Sequence, residues 1–81
     1  MATRERNERR YHHWEELPGG GRRYWKLRPG GDFGWQRMVK VVDENEVTIR
    51  IVQEILDDNG DLIESHQKFP RDTGHFVHGA E

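Results

Sequence analysis

His66 stands near Glu54, Glu64, Lys68 and Arg50 in a stretch, Trp35 to Pro70, that reads as two linked β-hairpins. These side chains could do chemistry together. A histidine beside a carboxylate titrates near neutrality and can move protons. Lysine and arginine can hold a phosphate or stabilise an oxyanion. Those are the parts of a small metal-independent, ribonuclease-like enzyme of the toxin type. The second proton carrier would come from His12, His13, His75 or His78. Charged residues are also ordinary on a solvated sheet face, so the set identifies no reaction by itself.

A second group interleaves cations with aromatic rings: Arg10, Tyr11 and Trp14, then Arg22, Arg23, Tyr24, Trp25 and Lys26. On a sheet, such a group can stack single-stranded bases on rings and hold phosphates with arginines. It equally suits a protein partner, or a core in which the rings pack. A third group, His75 and His78 with Asp72, His12 or His13, lacks the spacing of a metal signature, and no metal or other cofactor is expected. Gly19-Gly20-Gly21 lacks the Lys-Ser/Thr of a phosphate loop and precedes a strand. Asp57-Asp58-Asn59-Gly60-Asp61 begins like a calcium loop, but the required glutamate spacing is missing and a hairpin turn explains each residue.

The elements that must position these groups are strands. Residues 10–17 and 22–27 read as a hairpin around Pro18-Gly19-Gly20-Gly21. Residues 35–42, 46–56 and 62–69 follow, separated by turns at Asp43-Glu44-Asn45 and Asp57-Asp58-Asn59-Gly60. Pro70 ends the last strand by removing a ladder donor. The predicted fold is all-β: a small five-stranded antiparallel meander over residues 10–70, curled or half-barrel. Residues 1–9 form a disordered polar tail or a short frayed helix, and residues 71–81 a C-terminal tail or a short return over the sheet. In its tightly repeated hairpins and small size this arrangement resembles the compact sheets of bacterial toxin–antitoxin and other mobile-element proteins. The likeness is one of architecture, with no shared motif.

A register follows from placing Gly60 and Asn45 in the left-handed conformation. It sets Ile55 opposite Ile63 and Val39 opposite Ile49. One face then carries Trp35, Val39, Val41, Val47, Ile49, Ile51, Ile55, Ile63 and Phe69. The other carries Met38, Lys40, Arg50, Glu54, Glu64, His66 and Lys68. Its weak point is that Glu54 would face Glu64, and Arg50 would face Lys68. A slip by one residue instead puts Ile55 opposite Glu64 and moves His66 to the face of Ile51 and Ile55.

Composition bounds the function. With 81 residues, 32% hydrophobic and 35% charged, the chain is one small domain with a thin core. It has no cysteine, so no disulfide reinforces it. No apolar run reaches the length of a membrane span and the first residues lack a secretory signal, so a soluble cytoplasmic protein is expected. Residues 1–29 hold eight basic and four acidic residues, and residues 30–81 hold five basic and eleven acidic ones. That polarity lets the basic end meet an anion or the acidic end of a second copy. A thin core and three tryptophans favour a binding module acting through an aromatic-rich sheet. The expected partner is a protein or a second copy, with nucleic acid as a further possible ligand. The ribonuclease-like enzyme is the alternative.

Overall fold

A computed structural model of the chain describes residues 3–30, 33–71 and 75–77, with the backbone alone at Phe33 and over 75–77. The elements run α1 (Arg4–Tyr11), β1 (His13–Glu16), β2 (Arg22–Gly30), β3 (Phe33–Val42), β4 (Thr48–Leu56), β5 (Leu62–Phe69) and β6 (His75–Val77). The strands pair in chain order as one antiparallel sheet. The five-stranded meander expected from sequence is therefore present, with β6 added along β5. The sheet is open, with β1 and β6 at its edges among the described residues. No helix there is long and apolar enough to cross a membrane.

Residues 4–11 take the helical alternative. The Thr3 hydroxyl accepts from the Arg6 N–H at 3.2 Å, Glu5 lies in the first turn, and Arg9 and Arg10 lie in the last. Each arrangement suits the helix termini. His12 closes the helix in the left-handed conformation, φ 71°, and donates its N–H to the Glu8 carbonyl. Arg10 and Tyr11 thus leave the expected first strand, which shortens to β1.

Asn7 and Tyr11 lie four residues apart, on one helix face, and both are buried. That face lies on the sheet, where Tyr11, Tyr24 and Val42 form the core with Met38 packed beside them. The two tyrosine rings sit 5.8 Å apart, a tilted pairing. The helix therefore covers one face of the sheet, hereafter the helix side.

The predicted register is corrected in both hairpins. Asp57 does face Asp61 and Gly60 is left-handed, as expected. A bulge between Ile55 and Leu56 then leaves Ile63 without an opposite residue and sets Ile55 against Glu64. At the other turn Glu46, rather than Asn45, takes the left-handed conformation, φ 65°. With a further bulge at Val41/Val42, Val39 faces Val52 and Val41 faces Arg50. A turn sets the register only as far as the first bulge, because the inserted residue shifts every later pair.

The single apolar face predicted from sequence is accordingly divided. Met38, Val42, Ile51 and Ile55 share the helix side with Tyr24. Val39, Val41, Val52 and Leu56 share the other side with Trp25 and Trp35. Val47, Ile49 and Phe69 stay exposed.

Candidate anion-binding cleft

Directly opposed residues share a face, so the register builds the helix-side surface row by row. Lys26 opposes Met38, Met38 opposes Gln53 and Gln53 opposes His66. The next row runs Arg28, Gln36, Ile55, Glu64. Where α1 ends, these rows are left uncovered. A cleft of about 220 Å³ opens there, lined by Arg10 and Tyr11 of α1, Lys26 and Arg28 of β2, Gln36 and Met38 of β3, Gln53 of β4 and Lys68 of β5.

The charge in this cleft is one-sided. Among the described residues no carboxylate lies within ion-pair distance of Arg10, Lys26, Arg28 or Lys68. Four cations elsewhere, Arg4, Arg22, Arg23 and Arg37, are matched. Arg22 meets Glu8 and Glu16, each at 2.6 Å, and Arg37 meets Glu54 at 2.5 Å. Arg4 meets Glu46 at 3.1 Å, and Arg23 lies 3.7 Å from Glu15. Burial, then the charges of Arg10 and Arg28, hold the Lys26 ammonium below its ordinary pKa. Lys40, one row deeper, is lowered by burial and by Arg10, against the opposing pull of Glu46. The Lys26 ammonium also lies 5.5 Å from the centre of the Tyr11 ring, whose face favours a cation.

The helix that walls this cleft is fastened by a buried polar knot. The Glu46 carboxylate accepts from the Tyr24 hydroxyl and, at 2.9 Å, from the Asn7 amide, and pairs with Arg4. Asn7 in turn accepts from Lys40 at 3.0 Å. Burial, then the bond to Glu46, raises the Tyr24 pKa, and burial raises that of Tyr11. Arg22 is held charged by Glu8, despite its partial burial.

The residues proposed from sequence separate in two ways. Of the acid–base set, Glu64, His66 and Lys68 belong to the helix side, whereas Arg50 and Glu54 point to the other side. There Arg50 and Glu54 line a shallow recess with Arg23, Val39, Val52, Ser65 and Gln67. The single charged face drawn from sequence is thereby corrected. Glu54 faces Ser65 and pairs with Arg37, in place of facing Glu64.

Of the basic–aromatic set, Arg10, Tyr11, Trp14, Arg22, Tyr24 and Lys26 lie on the helix side, while Arg23 and Trp25 lie on the other. Tyr24 is fully buried and Tyr11 nearly so. The Arg22 guanidinium lies over Trp14 at 5.3 Å and Arg23 over Trp25 at 5.2 Å, while Trp25 stacks on His13. Arg10, Tyr11 and Lys26 meet in the cleft, joined by Lys68 from the other set.

Asp72 and His78 lie outside the described residues, and only the backbone of His75 is described, opposite His66. Among the described residues no group of three or more His, Cys, Asp or Glu could hold a metal ion. Sequence reasoning missed Arg28, Gln36 and Gln53 as cleft residues. Their signal was parity: alternate residues of β2 and β3 share a side. Comparison of the chain with protein-family models, with curated proteins and with solved structures gives no significant match.

Proposed function

We propose that this protein is a binding module for an anionic partner, which it engages in the cleft between α1 and the sheet. One observation carries the reading: four cations from three separate elements converge there with, among the described residues, no carboxylate lining the cleft beside them. Like charges held together raise the free energy of the empty site: Lys26 is held below its ordinary pKa first by burial and then by the charges of Arg10 and Arg28. A bound anion relieves that repulsion. The ribonuclease-like alternative keeps Glu64, His66 and Lys68 on the helix side but loses Arg50 and Glu54, which the register sets on the other side of the sheet. Binding without catalysis is therefore the reading the geometry favours.

Inorganic polyphosphate is a suitable probe, because it carries charge and no other recognition feature. Wild-type protein should bind it with an affinity that falls linearly as the logarithm of salt rises, as counterion release requires. The double variant Lys26→Ala, Arg28→Ala should bind at least ~10-fold more weakly, with a shallower salt slope. Arg50→Ala, a charge removed from the other side, should bind as wild type. Absence of binding at low salt, or an equal loss in Arg50→Ala, would overturn the reading.

A further inference from the structure

The cleft's dimensions and the chemistry of its middle narrow the class of anion. Its role as an anion site, proposed above, is the premise. We infer that its ligand is single-stranded nucleic acid, a few nucleotides of which lie across the strands from β2 to β5.

Neighbouring strands are spaced by about 4.8 Å, so the path from β2 to β5 covers roughly 14 Å. Cations stand at both ends of that path. Lys26 and Arg28 stand at the β2 end, with Arg10 of α1 alongside them, and Lys68 stands on β5. Lys26 and Arg28 are alternate residues of one strand and so lie roughly 6.6 Å apart along it. The volume, about 220 Å³, falls below the ~300 Å³ at which pockets begin to enclose whole small molecules. The occupant is therefore a segment of something longer that enters and leaves the cleft.

Between its charged ends, among the described residues, the cleft has no further cations. It has the Met38 side chain, half-buried as an apolar floor, and the amides of Gln36 and Gln53. Each amide is both donor and acceptor. The side-chain carboxylates of an acidic peptide are acceptors only, so its donors are confined to the backbone N–H groups. A base edge presents donors and acceptors together, which is what an amide reads. The order of cations, amides over a methionine, and cation again matches phosphate, base and phosphate. In a duplex the Watson–Crick edges are already paired and are not free for the glutamine amides. Tyr11 is packed against Tyr24 and takes no part in stacking, so base recognition falls to the amides.

The experiment compares labelled single-stranded RNA and DNA of mixed sequence, the same RNA as a duplex, poly-glutamate and inorganic polyphosphate. All are titrated with the full chain at one salt concentration. At least one single strand should bind ~10-fold or more tightly than duplex and poly-glutamate. The double variant Gln36→Ala, Gln53→Ala should weaken single-strand binding roughly 10-fold and polyphosphate binding by clearly less. Lys68→Ala should lower the salt slope for the single strand by about one unit. Two results would overturn the inference and leave the anion site standing: poly-glutamate or duplex binding as tightly as the single strands, or a glutamine variant that binds them as wild type. If no polyanion binds, polyphosphate included, both readings fall. Unchanged thermal unfolding of the glutamine variant separates lost contacts from lost fold.

Discussion

Two turns of this molecule have the same hydrogen-bond plan and opposite roles. In the turn between β3 and β4, the Asp43 N–H donates to the Val47 carbonyl and the Glu46 N–H to the Asp43 carbonyl, both at 3.0 Å. In the turn between β4 and β5, Asp57 donates to Asp61 at 2.9 Å and Gly60 to Asp57 at 3.0 Å. The aspartate side chains repeat the match. Asp43 accepts from the N–H groups of Asn45 and Val47, and Asp57 from those of Asn59 and Asp61. Both turns place their fourth residue in the left-handed conformation, Glu46 at φ 65° and Gly60 at φ 88°.

Gly60 is exposed and pays no steric cost for its φ. Glu46 is a side chain in a conformation that disfavours one, by roughly 1–2 kcal/mol. It is also 6% exposed, with its carboxylate among Arg4, Asn7 and Tyr24. One turn only reverses the chain. The other also fastens α1 to the sheet, and α1 supplies Arg10 and Tyr11 to the cleft. Backbone strain at Glu46 is thus coupled to the candidate site through the carboxylate it aims inward.

Glu46→Gly is the strongest way to break this comparison, because it makes the two turns alike. The backbone relaxes, while Arg4, Asn7 and the Tyr24 hydroxyl lose their common acceptor in a buried setting. Urea denaturation should show a net loss of about 2–4 kcal/mol, since removing one partner of a buried charged cluster outweighs a single strained residue. Binding in the cleft should weaken as well, because α1 is released from its anchor. A variant as stable as wild type would mean that the carboxylate contributes nothing beyond offsetting its own strain.

Gly60→Glu is the reciprocal change and should have a smaller effect. It puts the strain into a turn with no partners to offset it. A Cβ at this position meets nothing within 4 Å, so the cost is confined to the backbone. The expected loss is about 1–2 kcal/mol, with binding unaffected. If the substitution were neutral, the φ of Glu46 would not count as strain, and the contrast between the turns would reduce to burial alone.

These turns also mark how much the sequence could reveal. Asp57-Asp58-Asn59-Gly60 was readable because its glycine carries the conformation on its face. Asp43-Glu44-Asn45-Glu46 was read with Asn45 as the left-handed residue, since local propensity ranks asparagine above glutamate there. What overrode the propensity was a set of tertiary contacts from Arg4, Asn7 and Tyr24, residues 22 to 42 positions distant in sequence. The same limit applies to the bulges at Val41/Val42 and Ile55/Leu56, which no local pattern announces. Strand order was legible because each turn is local. The side of the sheet on which each residue falls was not, and it was the side that decided whether Arg50 and Glu54 could join His66. The cleft was half legible for a related reason: Lys26 and Arg10 stood out as charges. Their meeting depends on residues 4–11 folding back as a helix, a step driven by the burial of Asn7 and Tyr11.

The smallest expected effect refines the comparison by pH. Tyr24 and Tyr11 titrate above their ordinary value in the folded protein. Above about pH 10 the unfolded chain therefore releases tyrosine protons that the folded chain keeps, and stability falls as pH rises. Lys26 and Lys40 act in the opposite sense. Their lowered values mean that the folded chain loses those protons first, so stability climbs with pH up to about 10.5, where the unfolded lysines titrate. Tyr24→Phe keeps the ring against Tyr11 and removes only the hydroxyl. Near neutral pH it should cost about 1 kcal/mol, the worth of one hydrogen bond, because Glu46 retains Arg4 and Asn7. At about pH 11 the gap from wild type should shrink, because the variant no longer has a buried phenol whose ionisation opposes folding. Urea denaturation at the two pH values measures that change. A gap that stayed constant or widened in alkali would show that the hydroxyl's proton is not what ties the strained turn to the core.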